Sequence, residues 1–204
     1  MAILTNTISS VAFTNYITDG TDTLPVALAD VKEHLKIAGT DEDTYITNLI
    51  TVATELAEKI TGRDFINKTY EAYLDYFPCN GVKLEIRKSK LQSITSIEYY
   101  KDGVLTTFAS ESYDTTNSNL YSQVFLNNNY SYPTADTRPQ AVKITFVAGY
   151  GASADDVLQG IKQGLYMLIA GLYENRGDCD DCVRQLANNV LQAYKLPSLI
   201  LRAV

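Results

Sequence analysis

The chain has 204 residues, of which 46% are hydrophobic and 20% are charged, and its formal net charge is −7. This composition is typical of a soluble globular protein, and the acidic balance disfavours a dedicated binder of nucleic acid or anionic membranes, because phosphate contacts need lysine and arginine. The longest strongly apolar stretch, 165–173, is much shorter than the roughly 20 residues of a membrane-spanning helix.

The N-terminal part of the sequence predicts an extended arm followed by two helices. Residues 1–23 are rich in Thr, Ser and Asn, with β-forming residues enough for one strand. Apolar residues at helical spacing predict a first helix over 28–37, with Gly39 as its stop. Thr40 as N-cap and an acidic first turn open a second helix over 41–61, which Gly62 ends.

Between residues 65 and 148 the pattern changes to the period of two that indicates β-strands. Asp102-Gly103 lies between two such runs and predicts a hairpin. Strands are predicted at 69–77, 82–86, 94–100, 104–108, 123–126 and 142–148, with a polar loop around the fifth. This region is therefore predicted to be an antiparallel β-rich insertion.

A glycine turn follows the last strand and leads into the most apolar helix of the chain, predicted at 155–175 and capped by Ser153 or Asp155. Gly160, Gly164 and Gly171 line one edge of its main stripe, where another backbone can approach closely. The stripe consists of Val157, Leu158, Ile161, Leu165, Leu168, Ile169 and Leu172. A second apolar side is predicted to be a subunit interface, formed by Tyr166, Met167, Ala170 and Tyr173. A helix with two apolar sides is usually buried between two partners, and the second partner is this chain or a neighbouring copy.

A last helix is predicted at 181–194 and is followed by a C-terminal tail, 195–204. The tail is unusually apolar, and Pro197 prevents a long helix there. The fold class is therefore α+β: a small helical bundle spanning 24–194 with a β-rich insertion, and with extended segments at both ends.

One glycine pattern offers an enzymatic alternative. Gly149-x-Gly151-x-x-Ala154 follows a strand and opens a helix, which is the outline of a dinucleotide-binding fingerprint. However, no parallel strand follows, and Asp155 and Asp156 lie where a pyrophosphate would bind and would repel it. A structural turn is the favoured interpretation.

Cys179-x-x-Cys182 is the only motif that suggests a metal or a redox pair. Zinc needs four ligands, and only Cys79 and His34 remain, both distant in sequence. Neighbouring aspartates should raise the pKa of these thiols and make them unreactive, so two simple thiols are expected, with a metal shared between subunits as the alternative. Three cysteines and the lack of a secretory signal indicate a reducing cytoplasm.

No other pattern indicates catalysis: the sequence contains no nucleophile elbow, zinc-protease motif or phosphate-binding loop, and its carboxylates are scattered. We therefore predict that the protein is not an enzyme and needs no cofactor or metal. The one basic cluster indicates a solvated strand edge, with contact to DNA or an acidic neighbour as the alternative. It comprises Lys83, Arg87, Lys88 and Lys90.

The order of these parts resembles the head–tail connector (adaptor, or head completion) proteins of tailed bacteriophages. The resemblance covers about residues 24–177 and depends on six motifs in the family order. They are Leu24–Leu35, Asp41–Ile50, Ala57–Arg63, Leu91–Tyr100, Val147–Gly151 and Leu172–Arg176. The N-terminal arm and the cysteine pair depart from the family pattern.

The resemblance implies a structural virion protein in the neck, assembled in the host cytoplasm. Family members form a ring, commonly of twelve subunits, below the portal, where they extend the DNA channel and provide a platform for a tail or stopper protein. DNA only passes through, and no membrane is involved. The C-terminal segment typically reaches the portal, which here implicates Tyr194, Leu196, Pro197, Leu199, Ile200, Leu201 and Arg202. Another neck or tail-joining component remains the alternative.

Overall fold

Two stretches of helical periodicity flank the period-two region in sequence, and the computed structural model brings them together as one helical unit. It describes residues 13–17, 23–78, 83–86, 90–117, 122–175 and 181–196. The helical unit is drawn from Gly20–Asn67 and Gly149–Leu196. A second unit, the β unit, is formed by Lys68–Ala148 together with an N-terminal strand.

The described part of the helical unit contains four α-helices: α1 (Leu28–Leu35), α2 (Asp43–Thr61), α3 (Gln159–Glu174) and α4 (Asp181–Gln192). Each contributes apolar side chains to one core, because each carries an apolar stripe that must be shielded from water. The fully buried members with the largest side chains include Phe65, Ile46, Ile50, Ile161, Leu165, Ile169 and Leu191.

Three helix ends differ from the prediction because local backbone geometry decides them. The first helix ends at Leu35 rather than at residue 37, since Lys36 adopts the left-handed conformation (φ 56°), and Gly39 is not the stop. The second begins at Asp43 behind Glu42, two residues later than predicted. It ends as predicted at Gly62, whose amide donates to the Glu58 carbonyl at 2.8 Å. The fourth ends at Gln192 instead of residue 194.

The start of α3 is the largest difference. Ser153 does not cap it: its amide and hydroxyl both donate to the Asp156 carboxylate at 3.0 Å and close a separate 3₁₀ turn, Ala154–Asp156. The chain is extended again at Leu158, which is the N-cap of α3, so the helix begins at Gln159 and not at residue 155. Leu158 is 46% exposed and does not belong to the buried stripe.

The β unit consists of two antiparallel sheets, which confirms the α+β class. A five-stranded sheet has the order β1-β2-β8-β4-β5, and a three-stranded sheet has the order β3-β7-β6. The strands are β1 (Phe13–Ile17), β2 (Lys68–Leu74), β3 (Leu84–Ile86), β4 (Leu91–Lys101), β5 (Val104–Thr107), β6 (Tyr113–Asn117), β7 (Ser122–Leu126) and β8 (Val142–Ala148). A 3₁₀ turn, Ser110–Ser112, precedes β6, a strand that the sequence analysis did not predict.

Alternation along the strands places one set of side chains in a core shared by the two sheets. Tyr70, Ala72 and Leu74 of β2 lie there beside Ile144 and Phe146 of β8. The small sheet contributes Leu84, Ile86 and Val124. Strand β1 pairs with β2 from Phe13 opposite Tyr73 to Ile17 opposite Thr69, so part of the predicted arm is an edge strand of the large sheet.

Candidate interaction surfaces

The glycine turn before α3 allows two backbone segments to pack closely. Gly149 has φ +154°, and a Cβ there would lie 2.7 Å from the backbone of Asn67. The Asn67 amide donates to the Gly151 carbonyl at 2.8 Å, so the turn is held against the end of the α2 segment. Only glycine permits both this backbone angle and this approach.

The same turn is poorly suited to a phosphate. A phosphate-binding turn offers free amides at the start of a helix. Here the amide and hydroxyl of Ser153 already donate to Asp156, whose negative charge would repel a second anion. These two hydrogen bonds lower the pKa of the Asp156 carboxyl below its usual range, and the bond from the Ser153 amide has the larger effect. The long helix, moreover, begins only at Gln159.

The described residues contain no cluster suited to a metal ion. Among the described residues, no group of three or more His, Cys, Asp or Glu side chains is arranged to hold a metal ion. Cys79 and Cys179 lie outside the described residues, and Cys182 is described only as part of the α4 backbone. His34 packs its ring on Tyr166 of α3, with centroids 5.4 Å apart.

The basic cluster is only partly described. Lys83 and Lys90 are exposed beside β3 and β4, as expected of a solvated strand edge, while Arg87 and Lys88 lie outside the described residues. A shallow groove of about 290 Å³ lies elsewhere in the β unit, between the segments Tyr76–Pro78 and Tyr132–Ala135. Among the described residues, its lining contains no carboxylate, histidine or cysteine, the usual groups for acid–base chemistry at neutral pH.

The four residues predicted as a subunit interface separate into two pairs. Tyr166 stacks on His34, and the Tyr173 hydroxyl donates a hydrogen bond to the Glu42 carboxylate. Burial, and secondarily the negative charge of Asp30, raises the pKa of the Tyr166 hydroxyl and keeps it neutral. These two tyrosines are therefore engaged within their own helical unit.

Met167 and Ala170 lie on a more open side of α3. Both are half-buried, and Met167 packs partly against the helical core, while on the same line of the helix Gln163 and Glu174 are exposed. The glycine edge is closed instead: a Cβ on Gly164 would lie 2.8 Å from Leu191, and one on Gly160 would collide with the Tyr194 hydroxyl. The glycines thus accept side chains of the α4 segment, whereas the sequence analysis expected a backbone there.

The first residues of the predicted portal-binding tail fold onto their own unit. The Tyr194 carbonyl accepts a hydrogen bond from Arg63 Nε at 2.7 Å, and the Leu196 amide donates to the Thr61 carbonyl at 2.7 Å. The Leu196 side chain lies near Gly62. The other tail residues, Pro197, Leu199, Ile200, Leu201 and Arg202, lie outside the described residues.

Arg63 was not singled out from the sequence. Its role depends on two segments that are more than 130 residues apart, so no local pattern could have identified it.

A second surface that the sequence did not reveal is the β4–β5 hairpin tip. The Asp102 and Gly103 amides donate to the Asp136 carboxylate at 2.9 and 2.8 Å, which fixes the predicted turn. Beyond it, Val104 is 64% and Leu105 is 42% exposed. The braced turn therefore holds two apolar side chains in solvent.

Comparison with known proteins gives a family and several similar structures. The family model described as "Phage gp6-like head-tail connector protein" matches residues 25–197. No curated protein matches the chain. Within the described residues, no helix is long and apolar enough to cross a membrane.

The similar structures are parts of gene transfer agent (GTA) particles. The neck of a native GTA particle computed with C12 symmetry aligns with TM-score 0.74 and 19% identity, over 94% of this chain and 100% of that one. The neck of an empty GTA particle computed with C6 symmetry aligns with TM-score 0.72 and 19% identity, over 94% of this chain and 100% of that one. A chain of the native GTA virion aligns with TM-score 0.74 and 19% identity, over 93% of this chain and 99% of that one. At this identity the likeness shows a shared fold.

Proposed function

The chain belongs to the phage gp6-like head-tail connector family, and on this basis we propose that it forms a ring in the virion neck, below the portal. The observation that carries the proposal is the extent of the match, which runs from residue 25 to residue 197 and so includes both units. The ring extends the DNA channel out of the head and gives the tail or a stopper protein a surface to attach to.

Twelve copies are the expected ring size. The similar fold solved in a neck with C12 symmetry supports this number, and the C6 reconstruction is compatible with it because twelvefold symmetry contains sixfold symmetry. The net charge of −7 per chain suits a conduit, since an acidic wall repels DNA phosphates and does not hold the passing genome. Assembly would take place in the host cytoplasm.

The C-terminal tail is proposed to bind the portal. Residues 197–204 contain Leu199, Ile200, Leu201 and Val204. Burying such side chains contributes about 1.5–3 kcal/mol each, which offsets the entropy of ordering the tail. The hydrogen bonds of Tyr194 and Leu196 fix the point from which this tail leaves the helical unit.

The experiment is to remove the protein from the particle. Particles made without it should contain packaged DNA but no tails, and a reconstruction of complete particles should show the chain in a ring against the portal. A chain that ends at Leu196 should keep its melting temperature and fail to join portal-bearing heads. A normal yield of tailed particles without the protein would contradict the proposal.

The two alternative functions have separate outcomes in these experiments. A different neck component would appear in the reconstruction away from the portal. A nucleotide-binding protein would be stabilised in a thermal-shift measurement by adenine or nicotinamide nucleotides. We expect no shift, because the Asp156 carboxylate already accepts the hydrogen bonds of the Ser153 amide and hydroxyl and would repel a phosphate.

A further inference from the structure

An apolar ridge on α2 is more exposed than a core residue should be. Tyr45, Leu49, Val52 and Leu56 follow one another at intervals of four, three and four residues. This spacing places them along one line of the helix and is the spacing at which two helices pack together. Val52 is 44% exposed and the other three are half-buried, with Leu49 packed partly against the helical core and the Tyr45 ring centroid 6.1 Å from that of Tyr173. The flank on the opposite side of the buried face carries Thr47, Thr54 and Glu58 instead.

A strip on α3 has the same spacing. Gln163, Met167, Ala170 and Glu174 also follow at intervals of four, three and four. The two ends of this strip are exposed and its middle residues are half-buried. The small side chain of Ala170 beside Met167 allows the close approach of a branched apolar side chain from another helix.

Charge indicates the direction in which the ridge and the strip would meet. Lys59 is the basic residue of α2 and lies in its last turn. Glu174 is the exposed charged residue of α3 and also lies at the C-terminal end. Two parallel helices would bring these opposite charges together, whereas antiparallel helices would separate them.

We propose that the α2 ridge of one copy packs on the α3 strip of the next copy, with the two helices parallel and Lys59 beside Glu174. This inference rests on the proposed ring, which supplies the second copy. The two surfaces differ, so the contact is heterologous, and a heterologous contact generates a ring when the rotation between neighbouring copies closes. It assigns Met167 and Ala170 to the interface and leaves Tyr166 and Tyr173 to the subunit's own packing.

The first test places a charge in the ridge. Val52→Asp should weaken self-association at least tenfold in sedimentation-velocity titrations of the full chain, with an unchanged melting temperature because Val52 is outside the core. The matched control is Thr51→Asp, an exposed position on the adjacent polar side, which should associate like the wild type. The proposal is overturned if Val52→Asp associates as strongly as the wild type. It is also overturned if the wild-type chain remains monomeric up to about millimolar concentration, because a dissociation constant of that size corresponds to an association free energy of only about 4 kcal/mol.

The second test examines the pairing and the direction. Lys59→Glu and Glu174→Lys should each weaken association, and the double variant should recover most of the loss, since it restores opposite charges. A purely structural role of either residue would not give this recovery. Single-variant losses that add in the double variant would overturn the parallel arrangement.

Failure of this contact and failure of the proposed function are distinguishable. If Val52→Asp associates normally but tailless particles still result from removal of the protein, only the ridge assignment is wrong. If the ridge variants abolish association but particles without the protein acquire tails normally, the contact stands and the neck function is wrong.

Discussion

The helical unit and the β unit differ most in their charge. The residues of Gly20–Asn67 and Gly149–Leu196 include 15 acidic and 8 basic side chains, a net charge of −7, while the rest of the chain has 9 of each and is neutral. All of the net charge of the protein therefore belongs to the helical unit. Copies of this unit repel one another unless apolar contacts or ions oppose the repulsion.

The β unit balances its charges internally. Lys143 of β8 lies between Glu98 of β4 at 2.7 Å and Glu71 of β2 at 3.7 Å, all on one face of the large sheet. The hydrogen bond that the Lys143 ammonium donates to the Glu98 carboxylate is the main cause of its raised pKa, against an opposing effect of burial. The exposed apolar side chains described in the β unit include Val104 and Leu105 at a hairpin tip, whereas those of the helical unit include Val52 on the α2 ridge.

The largest expected effect is in the helical core. Leu165 is fully buried, so Leu165→Asp places an unpaired charge among apolar side chains and should cost several kcal/mol, enough to unfold the helical unit. Circular dichroism should show the loss of most helical signal at 25 °C. Gln159→Asp, an exposed position in the first turn of α3 and outside the proposed interface, is the control and should melt like the wild type. An unchanged melt of Leu165→Asp would falsify the packing of α3.

The next effect separates steric contact from backbone strain. Gly149 and Gly39 both have positive φ, but a Cβ on Gly149 would lie 2.7 Å from Asn67, whereas one on Gly39 meets open space. Gly149→Ala should therefore lower the free energy of unfolding by about 2–4 kcal/mol, and Gly39→Ala by about 1 kcal/mol. Urea titrations of both variants measure the difference. Equal losses would mean that the close approach at the turn contributes nothing.

A smaller effect tests the charge balance of the β unit. Lys143→Met leaves Glu71 of β2 and Glu98 of β4 as like charges on the two strands that flank β8, and it should cost about 1 kcal/mol near pH 7. Because the folded-state pKa of Lys143 is raised, its contribution is present below the unfolded value of about 10.5 and is lost as pH rises through the folded value. The wild type and the variant should thus converge in stability above that pH. A constant difference from pH 7 to pH 12 would contradict this.

The smallest effect concerns the surface turn before α3. The pKa of Asp156 is lowered in the folded state, chiefly by the Ser153 amide, so its contribution is present above the unfolded value of about 3.9 and is lost as pH falls through the folded value. Asp156→Asn should be slightly less stable than the wild type at pH 7 and equal to it at pH 2, as measured by thermal melts. A stability difference that persists at pH 2 would assign the effect to something other than the charge.

Local patterns predicted the elements whose signals lie within a few residues of one another. The Asp102-Gly103 turn, the β8 alternation and the α2 stripe ending at Gly62 all appear where the sequence predicted them. Each depends on backbone preferences or on a period that one helix or strand carries by itself. The acidic net charge and the lack of a catalytic motif are likewise properties of the sequence alone.

Only the tertiary structure decided which side of an element is covered, and by what. Periodicity showed that α3 has two apolar sides, but it could not show that His34 and Glu42 engage Tyr166 and Tyr173 while Met167 and Ala170 remain more open. The late start of α3 has the same origin, since Asp156 captures Ser153 before the helix begins. Strand β8 enters the sheet between β2 and β4 although it follows both by more than 40 residues, because pairing depends on contacts that are distant in sequence.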